Sequence, residues 1–416
     1  MPQSLRSPRW FVAQNGAREQ FAVPRAIHRA GRLAALATEI WMGPRRARVL
    51  GGLRATSRLA SRWHADLGDV EVRHRSARAV LRQVLQRPPT DPRERSRRYI
   101  REGVDFASWV AELLGPMRDV AGGFLGFTNA SLEALERARS LGMRTVLDQI
   151  AAGRIEDRLS REEWDRHGLP AESCPQRPQD YWDRVAAEWA IADGVLVNSR
   201  WALDSLRDDG VDESRLFVVP VSHAAETRAA PIRRAPSEPL RLIFVGRVSV
   251  MKGVPDLLAA MRHLASGGRR GPRLDLYGRV ELPDRLLERL PDGVRLHGAV
   301  PSSEVAARMR EAHALVFPTI CDGFGKVQIE AMSCGLPVLA TTNCGDVVDD
   351  GVDGFRVPIR SPHAIAEGIE RIESMGSGID GFSEAALAKS RTFGLDRWWR
   401  DFEAGVDALQ EGGVAS

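Results

Sequence analysis

The chain has 416 residues, 43% of them hydrophobic and 27% charged, enough for two or three domains of ~100–200 residues each. Four cysteines (Cys174, Cys321, Cys334, Cys344) without CxxC spacing argue against a zinc ribbon or a disulfide framework and fit a reducing cytoplasm, and no run reaches the roughly 18 apolar residues of a membrane span. The 59 Lys and Arg against 55 Asp and Glu leave a net charge of +4, which alone selects no partner. The opening stretch MPQSLRSPRWFVAQNGAREQ has no continuous apolar core, so no secretory signal is expected there.

In chain order, short apolar runs alternate with helical periodicity, the pattern of βα units on a parallel sheet. RWFVAQ (9–14), GGFLGFT (122–128), MRTVLD (143–148), GVLVNS (194–199) and RLFVVP (215–220) read as buried strands. Helices are expected at 131–141 and 200–208. The stretch 45–110 is Arg-dense, is broken by RPPTDPRER (87–95), and yields no clear order. Residues 1–100 hold 21 Arg against 7 acids, whereas 101–230 hold 15 against 23. That asymmetry suggests a face for anions such as headgroups, lipid-linked phosphates or nucleic acid; a solvated Arg-rich surface is the alternative.

The segment AAETRAAPIRRAPSEP (224–239) reads as a linker. Beyond it, LRLIFVG (240–246), RLDLYG (273–278), VRLHG (294–298), ALVFPT (314–319) and LPVLATT (336–342) are strands at regular spacing. Helices are expected at 255–266, 302–312 and 326–334, and another starts at Ser361-Pro362, a cap residue before the position where Pro suits a helix. The chain therefore divides into 1–225, a linker at 226–239, a second domain at 240–392, and a final amphipathic helix within 393–416. Two doubly wound sheets would leave a cleft beyond their strand ends, where such folds bind ligands.

Two loops carry chemistry. FVGRVSVMKG (244–253) ends a strand at Gly246 and places Arg247 and Lys252 next to the cleft, a cation pair suited to a diphosphate. Lys252 is one of three lysines (with Lys326 and Lys389) against 56 arginines. TICDGFGKVQIEAMSCGLPVLATT (319–342) runs from a strand through Asp322-Gly-Phe-Gly-Lys326 into a helix bearing Glu330. Its glycines allow close backbone approach to a ligand. Read alone, Arg247 also fits a solvated loop cation, Asp322 an ordinary helix cap, and Lys326 with Glu330 an i,i+4 surface pair.

Together the loops resemble the retaining glycosyltransferases of GT-B architecture, family 4 in particular, which show strand-Gly-Arg-(x)4-Lys-Gly and later E-G-F-G-x-x-x-x-E-A-M-A-x-G-x-P-V. Here the matching residues are Gly246, Arg247, Lys252 and Gly253, then Asp322, Gly323, Phe324, Gly325, Glu330, Ala331, Met332, Gly335, Pro337 and Val338. The resemblance implies an α/β fold of two Rossmann-like domains around a cleft. It makes Asp322, Arg247 and Lys252 the catalytic set. Gly246, Gly323, Phe324, Gly325, Lys326, Val327 and Glu330 become donor-binding residues, with Arg279 and Val300 framing the base. It implies a nucleotide-diphospho-sugar as co-substrate, no cofactor and no metal, and no Asp-x-Asp triplet stands in the chain.

The chain departs from the family pattern at three places. Asp322 replaces a Glu one methylene longer. Where the family often has a His after a first-domain strand, Asp148 and Gln149 stand, and Gln149 is the sugar-facing candidate. Pro220-Val221-Ser222-His223 replaces Pro-Asn-Gly, leaving His223 as a hinge residue. Gly16 and Arg18, in the loop after the first strand, are acceptor-side candidates, and Trp398 and Trp399 are expected to pack. The reading is a cytoplasmic hexosyltransferase acting on a glycan or lipid-phosphate-linked acceptor, with residues 1–100 docking on an anionic membrane. A sugar-nucleotide epimerase or hydrolase, or a non-catalytic sugar-nucleotide binder, uses the same motifs. Nucleic-acid motifs are absent.

Overall fold

The computed structural model describes residues 8–44, 62–85, 89, 91–223, 229–235, 238–266 and 271–412. Among these, thirteen parallel strands form two sheets. The first runs β3-β2-β1-β4-β5-β6-β7 and the second β10-β9-β8-β11-β12-β13. In the first, β1 is Trp10–Ala13, β2 Leu33–Thr38, β3 Val72–His74, β4 Gly123–Phe127, β5 Arg144–Gln149, β6 Gly194–Val197 and β7 Leu216–Val218. In the second, β8 is Arg241–Val245, β9 Arg273–Tyr277, β10 Val294–Gly298, β11 Ala314–Phe317, β12 Val338–Thr341 and β13 Gly354–Val357. Winding reverses between β1 and β4, paired Trp10↔Gly123, and between β8 and β11, paired Ala314↔Leu242. Two Rossmann-like domains thus each offer a switch-point crevice at their strand ends.

The strands read from sequence lie where the apolar runs lie, and the central ones, β1, β4, β6, β11 and β12, are buried throughout, as parallel strands covered on both faces are. β2 (LAALAT), β3 (VRH) and β13 (GFRV) are not among the strands that the sequence reading gives. β2 is built largely from alanine, a helix former, and is a strand because burial between β1 and β3 decides it. The helix Pro362–Ser374 opens with the Ser361 side chain accepting a hydrogen bond from the Ala364 N–H at 3.2 Å. The long helix Pro92–Met117 occupies part of the stretch that gave no order in sequence. The linker expected at 226–239 lies partly outside the described residues. Its Arg234 is buried, donating to the carbonyls of Glu238 and Glu373 at 3.0 and 2.9 Å.

The final helix, Leu395–Gly412, leaves the second domain and lays Trp398 and Phe402 into the first-domain core with Trp10 and Phe21. Phe402 meets the Trp10 ring edge-on at 4.9 Å, and Trp399 is partly buried in the same cluster. A second bridge is the helix Ile155–Arg166. Arg166 grips the buried Asp256 of the second domain with both guanidinium arms (2.9 and 2.6 Å), and Arg360 reaches back to Glu163 and Glu162 at 2.5 and 2.8 Å. Among the described residues, no helix is long and apolar enough to cross a membrane.

Candidate active site

The loops after β8 and β11 lie against each other. Gly253 is left-handed (φ +65°), and a Cβ there would sit 1.8 Å from the Pro318 carbonyl oxygen, so only glycine permits the approach. The contact brings Lys252 onto Asp322 as an ion pair, with the ammonium 5.4 Å from the Phe317 ring centre. The other Asp322 oxygen accepts the N–H of Gly325 at 2.8 Å and of Phe324 at 3.2 Å. Burial opposes ionisation of Asp322, but Lys252 and these two N–H groups hold its carboxyl below the usual range. Gly325 is also left-handed (φ +73°), with the Phe317 ring 2.5 Å from where a Cβ would be.

A cleft of about 530 Å³ opens between the domains. Its second-domain wall includes Lys326 and Glu330, paired at 3.5 Å, and its first-domain wall includes Glu19 and Gln20. Ser222 and His223 line it at the crossing between domains, where His223 Nε2 lies 3.2 Å from the Ser333 hydroxyl. Burial pushes the Glu19 carboxyl up, while Arg18 and Lys326 pull it down. Phe324 is buried against Phe393 at 6.1 Å, and Val327 and Val300 pack on the same core cluster. These three support the loop through packing.

Arg247 and Arg279 stand apart from this unit. Both are exposed and held by Glu281, Arg247 at 3.5 Å and Arg279 at 2.9 Å. Gly246, extended between β8 and this loop, precedes them (φ +153°). In the first domain, Gly16 gives its carbonyl to Gln14 Nε2 at 2.8 Å, and Arg18 lines a small cavity beside the cleft.

Gln149 is not sugar-facing. Its carbonyl oxygen accepts from Thr128 Oγ1 at 2.7 Å and Trp189 Nε1 at 3.0 Å, and its amide nitrogen donates to Ala151 O at 2.9 Å. The period of two along β5 turns Gln149 into the helix-covered core and Asp148 toward the cavity. Asp148 lines that cavity, and burial lifts its carboxyl to about 7 against the pull of Arg18.

The sequence reading missed Gln14, Glu19, Gln20, Asn198 and Ser199. Ser199 Oγ donates to the Gly323 carbonyl at 2.6 Å, joining β6 of the first domain to the second-domain loop. A polar pair directly after the apolar run GVLV was the available signal. Glu19, Gln20 and Phe21 are successive left-handed residues (φ +51°, +53°, +60°), a conformation that no local pattern announces.

Residues 239–374 match the family described as glycosyl transferases group 1. The second domain belongs to the group 1 glycosyltransferases. The chain is 31% identical over 222 residues to a D-inositol 3-phosphate glycosyltransferase of Streptomyces griseus, covering 49% of this chain and 46% of that one. It is 33% identical over 215 residues to the protein of that name from Geodermatophilus obscurus, covering 46% and 47%. The chain thus spans about half the length of the curated relatives it matches. The Anabaena protein Alr3699/HepE in complex with UDP has the same fold (TM-score 0.63, 13% identity, 97% of this chain and 100% of that one). So does sucrose-phosphate synthase of Thermosynechococcus elongatus (TM-score 0.61, 18% identity, 98% of each). The two-domain architecture is therefore GT-B.

Proposed function

We propose that the protein is a retaining, metal-independent glycosyltransferase that moves a hexose from a nucleotide-diphospho-sugar to a glycan or lipid-phosphate-linked acceptor. The observation that carries the reading is the Lys252–Asp322 pair set beside the Phe324 and Gly325 N–H groups, where the two switch-point crevices face each other. Departure of a nucleoside diphosphate builds negative charge as an oxocarbenium-like sugar forms. An ammonium that exchanges Asp322 for the leaving phosphate is a group of the sign that lowers such a barrier, while the two N–H groups keep the Asp322 carboxylate in place. Arg247 closes on the diphosphate by exchanging Glu281 for phosphate oxygens, and Glu330 takes the ribose hydroxyls from the cleft wall. The leaving phosphate deprotonates the acceptor on the same face, which retains the anomeric configuration. The UDP complex of the Anabaena protein supports a nucleotide-sugar donor.

The same reading places the acceptor on the first domain. Arg75, Arg78 and Arg82 are spent on Glu39 and Asp105, so docking on an anionic membrane falls to exposed cations such as Arg95, Arg97 and Arg101 around the exposed Tyr99. Vesicle binding at low salt that fades as salt rises is the expected signature. The activity test is nucleotide release from UDP-, GDP- and ADP-sugars, with and without lipid extract. Acceptor-dependent release is expected, and it is lost in Lys252→Ala and Glu330→Ala. Wild-type rates in both variants would overturn the site, and release without acceptor would mark a hydrolase.

A further inference from the structure

The small cavity at the ends of β1, β5 and β6 is lined by three buried polar side chains, two of whose oxygens lack a donor among the described residues. Gln14, Asn198 and Asp148 are 3%, 6% and 8% exposed, and all three line it. Gln14 Oε1 and Asn198 Oδ1 have no hydrogen-bond partner among the described residues. Their orientation is settled by their amide nitrogens. Gln14 Nε2 donates to the carbonyls of Gly16 and Arg18 at 2.8 and 3.1 Å, and Asn198 Nδ2 donates to Ile150 O at 2.9 Å. A flip of either amide would set oxygen against oxygen, so the unmet atom of each cavity-lining amide is its carbonyl oxygen. Among the described residues, Arg18 and Glu19 are the charges that act on the Asp148 carboxyl, and no group donates a hydrogen bond to it. Leaving such acceptors unmet costs about 1–3 kcal/mol each.

The volume limits what can meet them. The cavity is about 20 Å³, and one water-sized group needs about 10–15 Å³. An anion is excluded by the acceptor lining, and a methyl group leaves the oxygens unmet. A hydroxyl brings one proton and lone pairs of its own, whereas an ammonium brings three protons and no lone pair. Arg18 is matched by Glu19 at 3.5 Å, so the ionised lining carries one uncompensated negative charge, that of Asp148. The wall is also held at a cost. Glu19 and Gln20 border the cleft in left-handed geometry, and strain of that kind gathers at ligand sites. Asn198 adjoins Ser199, whose hydroxyl donates to the Gly323 carbonyl of the second-domain loop at 2.6 Å.

We propose that this cavity is a subsite for a protonated primary amine, so that one of the two sugars meeting in the cleft is an amino sugar whose ammonium is held by Gln14, Asn198 and Asp148. The inference rests on the glycosyltransferase reading above. It is tested on the full chain by calorimetric titration at pH 7, first with UDP alone and then, at saturating UDP, with D-glucose and its 2-, 3- and 6-amino counterparts. One amino sugar is expected to bind about tenfold or more tightly than glucose, and N-acetylation of that amine is expected to abolish the gain. Asp148→Asn, nearly isosteric, is expected to bring the amino sugar down to the glucose level with UDP binding unchanged. Asn198→Ser, removing a second acceptor, reports the same loss if the first variant folds poorly. The proposal is overturned if none of the three amino sugars outbinds glucose, as for a pocket that holds a hydroxyl or a water only, or if the preference survives Asp148→Asn. Failure of UDP to bind would instead strike the donor reading itself.

Discussion

The two sheets share one winding order, yet their strand ends are finished differently. In the second domain every charge at the switch point has a partner: Lys252 with Asp322, Lys326 with Glu330, and Arg247 and Arg279 with Glu281. In the first domain Gln14 and Asn198 hold buried acceptors that have none among the described residues, beside the buried Asp148 carboxyl. A paired site suits a ligand that exchanges one partner for another, as a diphosphate would at Lys252 under the function proposed above. An unpaired, enclosed site suits a ligand group that supplies what is missing. On the function proposed above, the same topology would give one crevice to charge development and the other to recognition.

The comparison breaks most visibly at Lys252. If the second-domain side carries the charge chemistry, Lys252→Ala lowers sugar-transfer turnover by about 10²–10³-fold. Lys252→Arg does not restore it, because a planar fork cannot occupy the place of a compact ammonium against Phe317. Steady-state rates for both variants check this, and equal rates in wild type and Lys252→Arg would deny the lysine its specific role. Arg166 comes next, since it ties the two finished ends together. Arg166→Ala leaves Asp256, 3% exposed, without its cation. A fully buried broken pair costs ~3–5 kcal/mol. Arg166 keeps a third of its side chain in water, so a loss of about 2 kcal/mol is expected by denaturant melts.

The second domain was legible because its chemistry sits in contiguous residues. FVGRVSVMKG and CDGFGKVQIE each fold locally into the loop that uses them, and the glycines needed for close approach are visible as letters. The first-domain cavity was not legible, although the strands around it were, because its polar groups follow β1, β5 and β6 and meet only in three dimensions. Gln149 illustrates the error. It adjoins the right residue, but one step along a strand reverses the face. Lys326 and Glu330 show the opposite case, where the bland expectation of a surface pair is what the structure holds, at 3.5 Å, on the wall of the cleft.

Acid titration sharpens the contrast by separating the two ends on the pH axis. Asp322 is held below its ordinary value, so the stability it contributes is present above about pH 4 and is lost as pH falls further. Asp148 is lifted from 3.8 to about 7. Its folded form binds the proton more tightly than the unfolded chain, so its contribution is full below the unfolded value and is lost as pH rises from about 4 to about 7. Asp148→Asn should therefore melt at a temperature that changes less than wild type across that window, while the two profiles run parallel below it. Parallel profiles throughout would mean that Asp148 is not held in a buried, unpartnered state.

The smallest expected effect bears on why the first-domain crevice is strained. A left-handed non-glycine residue costs about 1–2 kcal/mol, and Gln20 is the middle of three in succession. Gln20→Gly removes the Cβ that causes the clash but also frees the unfolded chain, so a net stabilisation of about 0.5–1 kcal/mol is expected. A turn strained only by accident of folding would gain that stability with turnover unchanged. A turn strained to hold Glu19 and the cavity wall in place should gain stability and lose turnover, since the loop then samples other shapes. Paired melts and rates on this one variant separate the two cases, and only the second fits a crevice built for recognition.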